Sequence, residues 1–286
     1  MDTPAHLVKV LQWEAERLMP YLSTLLPDAW SRPSACDLWE VRDVVGHLTW
    51  MAERFRGTVS RAVRGDVSPP AGSPSGGTST QAGRRAFIAR QAMARRESLG
   101  DQLLPTFRAQ MDQFIMLLEQ LGPQDWEKLS YSARRLVPLW SYPYLTIQEI
   151  ALHAWDIRSR FDPAARLSVE SLPALVQGIV LQLGPPWDAA FGQDAGLSLP
   201  VRSRWEVTGV VPGRHDIVGE DGTCRIEAAS ATAAHIAFRG DTETFVLLIY
   251  GRLTLELAIA SGRLISEGEP GLIAVFERWL RGHEVA

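Results

Sequence analysis

The sequence predicts an all-α four-helix bundle of up-and-down topology followed by a smaller α+β domain, and three observations lead there. Between residue 4 and about residue 157, long stretches carry apolar side chains at helical spacing. Beyond residue 195 the texture changes to short alternating runs separated by Gly, Pro and Asp, as in the strands of an antiparallel sheet. From Pro270 the spacing becomes helical again. The helical domain is placed at 1–190 and the α+β domain at 195–286.

Asp2-Thr3-Pro4 offers a cap and a first-turn proline to a helix over about 4–25, with Leu7, Val10, Leu11, Leu18, Leu22 and Leu25 at near-helical spacing. After a loop with Pro27 and Pro33, the run from Trp39 through Val44, Val45, Leu48, Met51 and Phe55 predicts a second helix to about 64, apolar enough for a buried face. Residues 65–83 are crowded with Gly, Pro and Ser, which cannot offset their ordering entropy by burial, and read as a mobile surface loop. A long helical region follows. Its second half sets Phe107, Met111, Phe114, Ile115, Leu118 and Leu121 on one face, as helix three. Past Pro138 and Pro143, Thr146 is placed to cap helix four with Glu149 at its third position, a capping box, ahead of Ile147, Ile150, Ala151, His153, Ala154 and Ile157. A further apolar helix is predicted at about 168–183, ending before Gly184-Pro185-Pro186. Such a bundle can host a metal or cofactor in its interior. In the second domain Val201–Val207, Cys224–Ala228 and His235–Arg239 read as strands, and Phe245–Ile259 suits a buried strand or a buried helix equally. The last helix has Leu272, Ile273, Phe276, Trp279 and Leu280 on one face.

Composition narrows the function classes. At 286 residues, 46% hydrophobic and 22% charged, the chain can bury a sizeable core and is neither a disordered tail nor membrane-embedded. A net charge of -4 and a pI near 5.9 provide no cationic field for a phosphate backbone, so nucleic acid is disfavoured as a partner. Cys36 and Cys224 lie far apart without CxxC or Cys-His spacing, which signals neither a disulfide framework nor a thiolate zinc site. No apolar run approaches membrane-spanning length and the opening residues lack a signal-peptide pattern, so a cytoplasmic protein with no membrane partner is expected. GxSxG, GxxxxGK[ST] and GxGxxG are all missing, and with them support for serine-hydrolase or nucleotide chemistry.

Glu149 and His153, four apart on helix four, share a face and can converge on one cation. His47 lies among Val44, Val45 and Leu48, and Asp43 one turn earlier is placed to hydrogen-bond its ring. Two histidines and a carboxylate from facing helices give a divalent ion three ligands and leave open positions. A buried, hydrogen-bonded core histidine and a capping or surface glutamate fit the same spacing. Asp156 either supports His153 from behind or pairs with Arg160 at i+4, the pairing slightly ahead. Arg84, Arg85, Arg90, Arg95 and Arg96 form a basic cluster that reads first as a solvated helix face and second as an attractor for an anion. Trp39, Trp50 and Trp155 wall a pocket or belong to the core.

Two segments carry a resemblance. WEVRDVVGHL at Trp39–Leu48 resembles the W-x-V-x-D-V-x-x-H-L signature of the DinB-like, metal-dependent thiol transferases, and TIQEIALHAWDIR at Thr146–Arg158 resembles their E-x-x-x-H-x-x-D element. The closest resemblance is to the mycothiol-dependent maleylpyruvate isomerase branch, which adds a C-terminal α+β domain similar to sterol-carrier domains. The segments GDTETFVLLIYGRL and SGRLISEGEP, within Gly240–Leu280, look like that addition. The resemblance covers essentially the whole chain, although residues 65–83 and the Arg-rich segment after them depart from the family's pattern. It implies that His47, Glu149 and His153 hold zinc or a similar divalent ion, that a low-molecular-weight thiol (mycothiol or similar) is the cosubstrate, and that Arg252 of the Gly251-Arg252 pair is catalytic.

The function expected from this set is thiol activation for S-transfer to an electrophile, or for cis-trans isomerisation of a maleylpyruvate-like acid. In it Arg252 clamps a substrate carboxylate, or is a surface arginine at a turn. Two other classes stay open: a non-catalytic carrier of an apolar ligand, and a hydrolase using metal-bound water.

Overall fold

The computed structural model describes residues 2–36, 39–69, 81–132, 135–183, 201–220 and 223–284. They form a helical N-terminal unit, Met1–Ser171, and a sheet-containing C-terminal unit, Leu172–Ala286. The division falls between Ser171 and Leu172, so the helix expected at about 168–183, within a first domain of 1–190, lies in the second unit; residues 190–195 and most of the loop expected at 65–83 lie outside the described residues.

In the first unit α1 spans Pro4–Thr24, and Thr3 caps it by accepting from His6 N. A short 3-10 turn at Pro27–Ser31 leads to α2, Val41–Val63. The region expected as one long helix is two: α3, Gln81–Leu99, and α4, Leu103–Glu119, joined through a 3-10 turn at Gly100–Gln102. Gly100 sits at φ 48, a left-handed conformation that a helix cannot pass through, and the chain breaks there. Among the described residues the unit therefore has five long helices where four are expected. A hairpin of β1, Leu129–Ser132, and β2, Arg135–Pro138, precedes α5, Ser141–Arg158.

α5 begins six residues earlier than the sequence suggests, at Ser141 rather than after a Thr146 cap. Thr146 is not its cap; buried inside the helix, its hydroxyl donates to Tyr142 O at 2.7 Å. The capping box of this unit is on α2, where Glu40 and Asp43 serve each other's backbone groups.

Helix α1 packs on α4 and α5, and α2 packs on α3, α4 and α5. The shared core holds Leu7, Leu11 and Leu22 of α1, Val44 and Leu48 of α2, Phe107, Met111, Phe114 and Leu118 of α4, and Ile147, Ile150 and Ile157 of α5, all buried. Phe55 of α2 meets Tyr142 of α5 edge to face with ring centroids 5.2 Å apart. Gly46 is where α2 and α3 come closest: a Cβ there would stand 2.5 Å from Ala92 O.

The second unit begins with α6, Leu172–Leu183, followed by β3, Val201–Thr208, β4, Gly213–Glu220, β5, Thr223–Ala228, and β6, Ile236–Asp241. Then come α7, Thr242–Ile249, α8, Leu255–Ala260, β7, Leu264–Gly268, and α9, Pro270–Glu284. The sheet order is β5-β4-β3-β6-β7. It is mixed rather than antiparallel throughout, because β3 and β6 pair in parallel with Trp205 opposite Phe238. The ambiguous run Phe245–Ile259 resolves as two helices, the first capped by Asp241, which accepts from Thr244 N at 2.7 Å. Trp205, Phe238, Phe245 and Phe276 form the aromatic core against the sheet. Among the described residues no helix is long and apolar enough to cross a membrane.

Two measurements check this packing. Gly46→Ala gains about 1 kcal/mol of helix propensity but drives a methyl into a backbone carbonyl, so a net loss of about 1–2 kcal/mol is expected in urea unfolding. Glu14, 4% exposed, accepts from Ser168 and Ser171 hydroxyls, and burial raises its pKa above 4.5 despite those bonds. A carboxyl raised in the folded state contributes stability below its unfolded pKa and loses it as pH rises through the folded value. Relative to the parent, Glu14→Gln should therefore gain stability between pH 4 and pH 8, read from melting temperatures across that range.

Candidate metal centre

The residues singled out on the second and fourth expected helices meet across α2 and α5. With Thr146 inside α5, Glu149 has no capping duty, and its carboxylate points to the imidazoles. His47 Nε2 lies 2.8 Å and His153 Nε2 3.4 Å from Glu149 Oε2, and the two rings stand edge to face at 4.9 Å. The three ligand atoms all fall within 4.8 Å of one another. Four ligands at the usual 2.0–2.1 Å from a tetrahedral zinc stand roughly 3.3 Å apart, so the spacing of these donors suits a small divalent cation. Two imidazoles, neutral when they ligate, and one carboxylate form a borderline donor set that suits zinc and other first-row divalent ions and would leave a positive charge on the metal.

Burial and hydrogen bonding shape the charges. The His47 and His153 side chains are 7% and 9% exposed, while Glu149 keeps 28%, which leaves the cluster open on the carboxylate side. Burial pushes the Glu149 carboxyl up, yet hydrogen bonds from His153 and His47 outweigh it and hold it well below the ordinary carboxylate range. For His153 burial pushes downward, and the charge of Cys36 with hydrogen bonds to Asp156, Cys36 and Glu149 prevails, raising it well above 6.5.

Behind His153, Asp156 Oδ2 is 2.9 Å from Nδ1. Asp156 is fully buried and acceptor-only when ionised, so Nδ1 keeps its proton; without a cation Nε2 is protonated as well and donates to Glu149, and a bound cation would displace that proton and take the Nε2 lone pair. Of the two roles considered for Asp156, this geometry supplies the supporting one; Arg160 Nε donates to Ser34 O at 2.9 Å. The expected bond from Asp43 to His47 is not made. Asp43 instead accepts from Glu40 N at 2.9 Å and Arg96 Nη1 at 2.8 Å.

The sequence missed Cys36. Its Sγ lies 3.2 Å from Asp156 Oδ2 and 3.6 Å from His153 Nδ1, forming with them a second metal-capable group. It comes from 117 residues away in the chain, with no spacing to betray it. The loop that carries it is pinned to α5 by Ala35 N donating to Asp156 O at 2.8 Å, together with the Arg160 bond to Ser34. Because His153 Nδ1–H is spent on Asp156, the Nε2 side is the better place for an ion.

Trp39 and Trp50 flank the rings, Trp39 at 5.2 Å from His47 and 6.1 Å from His153, Trp50 at 6.2 Å from His47. Trp155 instead donates to Ala165 O at 3.3 Å. Of the basic cluster, Arg95 pairs with Glu53 and Arg96 with Asp43, tying α3 to α2, while Arg90 is exposed. The side chains of Arg84 and Arg85 lie outside the described residues. Arg252 belongs to the second unit, follows Gly251 at φ 70, and donates from Nη1 to Tyr250 O at 2.7 Å.

Zinc added to the purified protein should be retained through gel filtration and lost in each of His47→Ala, Glu149→Ala and His153→Ala, with helicity kept. Asp156→Asn should weaken retention by about 10–100-fold. Elemental analysis with circular dichroism decides, and stoichiometric zinc in all three alanine variants overturns the ligand assignment.

Comparison with known proteins gives two findings. Residues 11–158 match the family model described as Mycothiol maleylpyruvate isomerase N-terminal domain. The fold is similar to the crystal structure of a mycothiol-dependent maleylpyruvate isomerase, at 14% identity and TM-score 0.64, covering 94% of this chain and 95% of that one. A histidine-to-alanine mutant of that enzyme matches over the same shares at 14% identity and TM-score 0.63. No curated protein matches the chain by sequence.

Proposed function

Since the chain belongs to the mycothiol maleylpyruvate isomerase N-terminal domain family, within the DinB-like fold, we propose that it is a thiol-dependent isomerase or S-transferase whose active centre is His47, Glu149 and His153. The observation that carries the reading is the convergence of two imidazole nitrogens and one carboxylate oxygen, contributed by two helices that both lie within the family match. In the same reading α1, α2, α4 and α5 are the family's four-helix bundle with α3 added, the second unit is sterol-carrier-like, and the protein works in the cytoplasm.

A divalent cation, zinc in this reading, would supply a positive charge that stabilises a thiolate over a thiol. His47 and His153 would hold it as neutral ligands and Glu149 would cancel only part of its charge. Asp156 fixes the tautomer of His153, so that Nε2 rather than Nδ1 is the donor. Trp39 and Trp50 cover the rings and exclude water from that side, which strengthens the local field.

The thiol substrate is mycothiol or a similar small molecule, and the second substrate an electrophile of the maleylpyruvate type. Addition of the sulfur and a proton across a cis double bond leaves a single bond free to turn. Elimination then returns the trans acid and the thiol. With an electrophile that cannot eliminate, the adduct leaves as an S-conjugate. Arg252 is proposed as the group that holds a substrate carboxylate, a task suited to the guanidinium fork.

Turnover of maleylpyruvate by the zinc-loaded protein should require an added low-molecular-weight thiol and fall to background without it. Thiol-independent turnover would instead mark a hydrolase.

A further inference from the structure

Beyond the triad, α2 continues as a polar stripe. His47, Trp50, Arg54, Gly57 and Arg61 recur every three or four residues and so share one face of the helix. Along it opens a cavity of about 340 Å³ whose walls include Trp50, Glu53, Arg54, Gly57, Arg61 and Arg95. Three guanidinium groups thus face a single carboxylate.

That carboxylate is taken, because Glu53 pairs with Arg95. Arg61 donates to Ser68 O at 2.7 Å and stands 3.8 Å from Asp66. Arg54 has no ion-pair partner among the described residues. Half-buried, its guanidinium carbon lies 5.5 Å from the centre of the Trp50 ring, an attraction that leaves its in-plane N–H donors available to a ligand. Burial pushes Arg54 below its ordinary range, Tyr142 and Tyr131 pull the other way, and Arg61 adds repulsion. A half-buried cation beside another cation, with no ion-pair partner of its own among the described residues, is stabilised by an anion.

Gly57 points the same way. A glycine in a helix interior costs about 1 kcal/mol relative to alanine. Packing does not demand this one, since a Cβ there would meet nothing within 4 Å. Its missing side chain leaves room in the cavity.

We propose that this cavity is a carboxylate-binding subsite for a molecule that reacts at the triad, with Arg54 as the group that receives the carboxylate and Trp50 as the wall between the two places. The link to the triad rests on the reading given under Proposed function. Seven residues of helix put the Arg54 Cα roughly 10 Å along the axis from that of His47, so the ligand is elongated, with its reacting atom at one end and its negative charge toward the other. The charge can sit on the electrophile or on the thiol.

Calorimetric titration at fixed ionic strength tests this with two probes, maleate as a thiol-free dicarboxylate and glutathione as a carboxylated thiol. Arg54→Gln should weaken at least one probe by about tenfold, the scale of a charge-assisted hydrogen bond, and Arg54→Lys should recover part of it. Gly57→Leu should weaken the same probe by filling the space, with circular dichroism and zinc content unchanged. An effect on maleate alone assigns the site to the electrophile, and on glutathione alone to the thiol. If Arg54→Gln shifts neither probe by as much as about threefold, the subsite is overturned. The titration also runs on metal-free protein, so failure of the metal reading and failure of the subsite are separately visible.

Discussion

The arrangement depends on one carboxylate held between two imidazoles from different helices. Removing an ionised carboxyl from water costs several kcal/mol unless donors replace the lost solvent. Glu149 has such donors because His47, 102 residues earlier, arrives on α2 at the height of His153 on α5. The polar cluster does not bring the two helices together. Apolar packing does, through Val44 and Leu48 against the shared core and Phe55 against Tyr142, and the convergence of the two imidazoles on Glu149 follows from it. Because α2 is also held against α3 by the close approach at Gly46 and by the Arg96–Asp43 pair, its rotation about its own axis is restricted. A turn of the helix by one residue, about 100°, would carry His47 away from Glu149 altogether.

Support behind the imidazoles is unequal. His153 has a fully buried acceptor at Nδ1, and the loop bearing Cys36 and Trp39 is fastened to the same end of α5. The two fastenings are linked: Asp156 orients His153 with its carboxylate and accepts Ala35 N with its backbone carbonyl. One residue therefore fixes both the orientation of the His153 imidazole and the position of the aromatic cover over it. The Cys36 thiol beside that carboxylate adds a third polar group to a fully desolvated point.

How much was legible in the sequence depended on whether the controlling interaction was local. Helix α1, its Thr3 cap and the apolar stripe of α4 are set by spacing within the element and were read correctly. So was the co-facial pair Glu149 and His153, four residues apart. The start of α5 was misread because Thr146 and Glu149 imitate a capping box, while the real determinant is where Tyr142 and the hairpin dock. The parallel pairing of β3 with β6 was illegible for a related reason: alternation fixes which face of a strand is buried, not the direction of its neighbour. Asp43 was assigned to His47 on one-turn spacing alone, and an arginine of α3 that no local pattern connects to it claimed it instead. Cys36 left no trace, since its partners are distant and it lacks ligand spacing.

The two faces of α2 differ sharply in what they contribute to folding. One is continuous core, with Val41, Val44, Val45, Leu48, Met51, Ala52, Val59 and Ala62 all buried against other elements. Its burial stabilises by about 1.5–3 kcal/mol for each larger aliphatic side chain, and the total far exceeds the penalties on the other face. Those penalties are a buried imidazole, a glycine in mid-helix and a half-buried arginine with no ion-pair partner among the described residues. They are tolerable only on an element so strongly held elsewhere, which is why the residues least favourable to folding gather on the best-packed helix of the unit rather than on a loop.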